Sequence, residues 1–235
     1  MATDASSVSL PQTLPAPAPP AQAPAGAAGG ELWRTVLRVA WLSIGLGLVL
    51  EVLLLVLAAY SGTGGSTPKP FVSDLVQKVS WSFIVCVGLA FGSTAGKARA
   101  GVMGLLGLIS APVAFNVARA LHKGASQALG LAGAAGGLSP FVLAGLKAIE
   151  YGVLGAALGT LTRRREGAGL GAHLGAGAAV GVTFGGMILT LLARAAANPM
   201  SPVDLAAKGI NEVLFPVGCS FVLYAAEVIG RRLPA

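Results

Sequence analysis

Lys147 and Glu150 stand three residues apart inside a long apolar run, residues 139–165, that opens on Ser139-Pro140 and is closed by Arg163, Arg164 and Arg165. No soluble helix needs to be apolar on every face for so long, so the solvent this run is built for is a bilayer. A charge buried there costs several kcal/mol, on the order of 3 or more. An i, i+3 spacing places the ammonium and the carboxylate on one helix face, where each offsets the other. The pattern returns near the C-terminus as Lys208 and Glu212, and a third intramembrane carboxylate, Glu51, lies in the first apolar run.

Depth arithmetic puts these groups at one level. Counted from Pro140 and Pro202, Lys147 and Lys208 lie about 10 Å below the membrane surface and Glu150 and Glu212 about 15 Å below it, while Glu51 lies about 20 Å up from Arg38 at the opposite surface. Asn116 and Arg119 in the third run are expected above or beside that layer. Pro216 adds an acceptor. It cannot donate to the carbonyl four residues back, which belongs to Glu212, so the last helix is expected to kink and to free that carbonyl beside the carboxylate. Two readings follow for Glu51, Asn116, Arg119, Lys147, Glu150, Lys208 and Glu212. One is a solvated site for an ion, a proton or a polar solute; the other is a charge-balanced network that pins the bundle, with the lysines snorkelling outward.

The elements that must hold these groups are apolar helices. Of 235 residues, 54% are hydrophobic and 11% charged, less than half the charged share of about 25% usual in soluble domains. Six runs are long enough to cross a hydrocarbon core of about 30 Å: 34–60, 71–95, 99–121, 139–162, 168–194 and 203–230. The fold class expected is therefore all-α, a polytopic membrane bundle of six helices. Residues 1–30, rich in Pro and Ala and nearly uncharged, read as a disordered tail, and no basic stretch leads directly into an apolar one as in a signal peptide. The first apolar run is then the insertion signal. Residues 124–138, rich in Ala and Gly, are too short to span and read as an interfacial or re-entrant piece.

Glycines mark the contact faces. Gly88, Gly92 and Gly96 recur at four-residue spacing, as do Gly177, Gly181 and Gly185, with Gly155 and Gly159 a third instance. Small residues on one face let helix backbones approach closely, within the chain or across a homo-oligomer seam. The run Gly175, Gly177, Gly181 has neither the preceding strand nor the downstream acid of a dinucleotide fingerprint, so no cofactor is expected. His173 stands alone, Cys86 and Cys219 read as small packing residues, and Glu227 with Arg231 reads as an i, i+4 surface pair. No metal spacing or catalytic arrangement is identifiable, so an enzyme is not expected.

A weak repeat links the even-numbered runs. Each opens with Pro and places a Lys six to eight residues on: Pro70 to Lys78, Pro140 to Lys147, Pro202 to Lys208. The net charge of +7 falls mainly at the ends of apolar runs, without interleaved aromatics, so the partner expected is the lipid bilayer and not nucleic acid. A homo-oligomer or other membrane subunits remain open. Two functional classes stand: permeation or transport of a small ion or polar solute, and a non-transporting structural or assembly subunit whose glycine faces are docking surfaces.

With both termini cytoplasmic, in a plasma membrane of bacterial type, the inner ends carry Arg34, Arg38, Lys97, Arg99, Arg163, Arg164, Arg165, Arg231 and Arg232, against Lys69, Lys78, Arg119, Lys123, Arg194 and Lys208 outside. The excess and the arginine cluster set this orientation. A cysteine at Gly167 should stay unlabelled by a membrane-impermeant maleimide applied to intact cells; labelling there would invert the topology.

Overall fold

The computed structural model describes residues 25–62, 68–131, 138–162, 168–196 and 198–232, with side chains described from Gly29 in the first helix and from Pro70 in the second. Among these residues the chain is helical, in six elements long and apolar enough to span a membrane. They are α1 (Ala25–Tyr60), α2 (Pro68–Ser93), α3 (Arg99–Ala128), α4 (Pro140–Leu161), α5 (Leu170–Ala195) and α6 (Pro202–Arg232). The protein is an integral membrane protein built as an all-α bundle.

Two expected boundaries move. Ala25–Gly30, assigned to the tail, form the first turns of α1, because Ala-rich chain leading into an apolar helix extends it at little cost; residues 1–24 lie outside the described part. Residues 124–128, assigned to an interfacial piece, continue α3, which ends at Gly130 in a left-handed conformation (φ 70°) that glycine adopts without strain. The rest of that stretch, residues 132–137, is outside the described part, as are Arg163, Arg164 and Arg165.

Starts are set by local chemistry. Pro140 follows Ser139 at the first position of α4, where a missing N–H costs nothing. At α6, Ser201 Oγ accepts from the Asp204 backbone N–H at 3.1 Å and donates to the Asp204 carboxylate at 2.7 Å, a serine N-cap held by the acid three residues on.

The helices pack in chain order and α6 closes the ring on α1 while also reaching α2, α4 and α5. The start of α1 and the end of α6 therefore share one end of the bundle, where the Arg38 guanidinium lies over Gly230 and Arg99 donates to the Thr162 carbonyl at 3.5 Å. Outward faces carry large apolar side chains such as Trp41, Val49, Ile109 and Val182, each more than half exposed, as a lipid-facing surface requires.

Inside, glycine decides how close the helices come. A Cβ at Gly177 would lie 2.7 Å from the Pro216 carbonyl oxygen, at Gly181 2.8 Å from that of Val213, and at Gly185 2.9 Å from the Glu212 Cβ. Four residues of α-helix overshoot one turn by about 40°, so a glycine row would drift off the contact. A π-helical turn over Gly181–Gly185, with more residues per turn, takes back that drift and keeps Gly185 on α6. Gly88 and Gly92 face Ser110 and Met103 of α3, and Gly155 and Gly159 face Met103 and Ala100.

Gly96 departs from the expected row. It sits beyond α2 with φ 55° and nothing near its Cβ position, so it is a turn residue between α2 and α3, used for its backbone freedom. The tightest approach was not in any glycine row. A Cβ on Gly107 would run into the Tyr151 carbonyl, so α3 and α4 touch backbone to backbone there.

These contacts predict a graded response in detergent thermal melts. Gly181→Leu and Gly107→Ala should each destabilise by about 1–3 kcal/mol or prevent folding, as overpacking does. Gly175→Ala, where a Cβ meets nothing within 4 Å, should leave the midpoint unchanged. Equal tolerance at all three would place the glycine faces against lipid.

Candidate functional site

Lys147 projects from α4 toward α6. Its ammonium donates to Glu150 Oε2 at 2.8 Å and makes an ion pair with Glu212 across the helix interface. The remaining side of the ammonium faces the rings of Trp81 and Tyr151, each centroid 5.8 Å away. Such contacts are attractive because the ring faces carry the negative part of the aromatic quadrupole. Trp81 in turn packs edge-on against Tyr151 at 5.6 Å and Phe215 at 6.5 Å. One cation thus joins α4, α6 and, through Trp81, α2.

A second pair completes the layer. Lys78 of α2 is ion-paired with Glu51 of α1, and both side chains are nearly buried, at 12% and 6% exposed. The two groups of charges border one cavity of about 360 Å³, lined by Lys78, Lys147, Lys208, Asn211 and Glu212 on its polar side and by Leu54, Trp81, Phe115, Leu192 and Phe215 on its apolar side. Lys208 is exposed, so the cavity reaches the surface at the end of the bundle away from the chain termini.

The structure brings together Glu51, Lys147, Glu150, Lys208 and Glu212 at this cavity or directly behind its wall. Lys147 and Glu150 pair as their spacing suggested, but Lys208 and Glu212 do not. Glu212 turns to Lys147 of another helix, and Lys208, one turn away, forms no ion pair among the described residues. Asn116 and Arg119 do not join. Both are exposed on the outside of α3, and the Asn116 amide donates to the Pro112 carbonyl at 2.8 Å, its own helix being the nearest acceptor.

Lys78 and Asn211 were missed as site residues. Position along the chain places Lys78 at a membrane boundary, yet the Pro-to-Lys repeat holds its place in the site: all three lysines of that repeat line the cavity. Asn211 brings a buried side-chain oxygen without a hydrogen-bond partner, as does Glu150 through Oε1. Asp74, also on the cavity wall, pairs with His122 at 3.0 Å.

The carbonyl freed by Pro216 has a neighbour. Gly185 of α5 lies directly against the Glu212 backbone, its Cβ position 3.3 Å from that oxygen, so the freed carbonyl is covered by glycine backbone and the carboxylate faces the cavity. Below the aromatic layer, Cys86 of α2 and Cys219 of α6 meet at 3.0 Å between sulfurs, both fully buried. His173 packs away from this site, with Nδ1 toward the Gly169 carbonyl at 3.2 Å and the ring against Tyr224 at 5.1 Å. Glu227 and Arg231 pair at 2.5 Å near the C-terminus. No group of three metal-ligating side chains occurs among the described residues.

Comparison with protein-family models, with curated proteins and with solved structures finds no match for the chain.

Because Lys147 serves two carboxylates, its removal strands both. Lys147→Met should destabilise by about 3–5 kcal/mol, the cost of an uncompensated buried charge. Replacing Lys147 and Glu150 together still leaves Glu212 unpaired and should recover only part of that loss. Changing all three, Lys147→Met with Glu150→Gln and Glu212→Gln, should restore stability toward wild type in chemical or thermal denaturation, and failure of the triple variant to exceed the single one would show that the charges do not act as one unit.

Proposed function

We propose that this integral membrane protein transports or conducts a small ion or polar solute through the cavity between α2, α4 and α6. The observation that carries the reading is the cavity itself: inside a bundle of otherwise apolar helices, three lysines, a glutamate and an asparagine from α2, α4 and α6 converge on one volume that reaches the surface. Charges are expensive at that depth, and a network whose only task is to pin helices gains nothing from a space beside it. A volume of about 360 Å³ falls within the range of about 300–1,000 Å³ typical of small-molecule sites.

An assembly subunit is the second reading. The glycine rows that favoured it on sequence grounds are occupied by helices of the same chain: Gly177, Gly181 and Gly185 by α6, Gly88 and Gly92 by α3. Those faces are spent within the chain, which supports transport over docking.

Water in the cavity separates the readings. In a background with Cys86→Ala and Cys219→Ala, a cysteine at Glu212 should react with a small water-soluble methanethiosulfonate added to the side where the cavity opens. In a second background retaining only Cys86, which is fully buried, the same reagent should give no reaction. Equal protection of both cysteines in folded protein means a dry charged layer and excludes a pathway through it.

A further inference from the structure

The cluster around Lys147 does not balance its charge. One ammonium faces two carboxylates, Glu150 and Glu212, leaving a formal charge of −1. Neighbouring groups do not supply the missing cation. On α1 and α2, Glu51 and Lys78 neutralise each other; Asp74 on α2 is engaged with His122 of α3; on α4, Tyr151 is neutral; on α6, Lys208 is exposed and forms no ion pair among the described residues. From α5 the cavity wall receives Leu192, which carries no charge.

Glu150 is where the deficit is felt. Its side chain has no exposure, Oε2 takes the Lys147 ammonium, and Oε1 is buried without any hydrogen-bond partner. An ionised carboxylate with one bare oxygen in hydrocarbon is among the costliest arrangements available to a side chain. Two species could cancel the charge, a metal cation or a proton. A metal ion would need several oxygen ligands around one point, but the place between the two carboxylates is already filled by the Lys147 ammonium, which repels it. A proton needs only one oxygen, and Oε1 is free.

We propose that Glu150 binds one proton that exchanges with the cavity by way of Glu212, giving the cluster Lys147 as ammonium, one carboxylate and one carboxylic acid. The step is an acid–base transfer. A hydronium ion in the cavity gives its proton to the partly exposed Glu212 carboxylate and leaves as water; Lys147, hydrogen-bonded to both carboxylates, then gives one proton to Glu150 and takes one from Glu212, so that it remains an ammonium beside the ionised Glu212. Release reverses the order. Its part as a coupling ion rests on the transport reading above, whereas the presence of the proton does not.

Infrared difference spectroscopy on the full chain in lipid tests this without knowledge of the transported species. At neutral pH the wild-type protein should show the C=O stretch of one protonated carboxyl group, shifting when H2O is replaced by D2O. Glu150→Gln should abolish that band, and Glu212→Gln, which leaves Lys147 a single carboxylate and the cluster neutral, should abolish it as well. The absence of a protonated carboxyl in wild type, a band that does not exchange with D2O, or a band that survives Glu150→Gln would each overturn the proposal. The first two need no variant, so a folding defect in Glu150→Gln cannot hide the answer. An exchanging band together with a Glu212→Cys variant that resists the water-soluble reagent would leave the proton site standing and remove the transport reading.

Discussion

The bundle depends on one ammonium group. Lys147 lies between carboxylates from its own helix and from α6, with aromatic faces from α2 and α4 closing the remaining directions. In lipid there is no hydrophobic drive to bring α4 and α6 together, since hydrocarbon tails are as apolar as the helices. A cross-helix ion pair supplies a specific attraction instead, and the long flexible stem of lysine lets it form without bringing the two backbones into close contact. That separation is what leaves room for the cavity.

Elsewhere the same problem is solved the opposite way. On the α5 side of α6, three glycines press their backbone onto carbonyls of the proline-containing segment, those of Glu212, Val213 and Pro216. Pro216 removes a hydrogen bond from α6, and the carbonyl it frees would be costly against lipid. Glycine backbone laid against that carbonyl shields it from lipid, and the π-helical turn in α5 keeps the glycine row aligned with it. Glu212 is therefore gripped from behind by α5 and drawn forward by Lys147, so its carboxylate is positioned by packing on one side and charge on the other.

How much of this was legible in the sequence follows from which signals are local. Helix number and approximate limits come from unbroken apolar runs, a one-dimensional property, and the level of the charged layer comes from counting rise per residue. Pairing is not local. The choice of Lys147 over Lys208 as partner for Glu212 depends on how α4 and α6 are rotated, which spacing along α6 cannot report. Asn116 and Arg119 share the depth of the layer but point outward, for the same reason. Gly96 fits a four-residue rule and Gly107 does not, yet Gly107 makes the closer contact, because the rule marks a possible face and only the neighbouring helix makes it a contact. Cys86 and Cys219, 133 residues apart, meet for reasons no motif encodes.

The position of the cavity within the bundle constrains any transport cycle. Its lining ends at the level of Trp81, Lys147, Glu212 and Phe215, and the next layer, with Val85, Cys86, Leu154 and Cys219, has no exposed surface. A solute entering from the open end meets that dry layer, so passage requires helices to move and cannot occur through a fixed pore. The parts able to yield lie at the boundary. Pro216 breaks the hydrogen bonding of α6 one turn past Glu212, and the π-helical turn of α5 sits against the same segment, so both helices carry their weakest backbone where the cavity ends and the closed layer begins. A change in the charge of Glu212 or Glu150 would alter the pull of Lys147 on α6 immediately above that weak point, so under the proposed transport function the charged layer is where binding would be converted into movement.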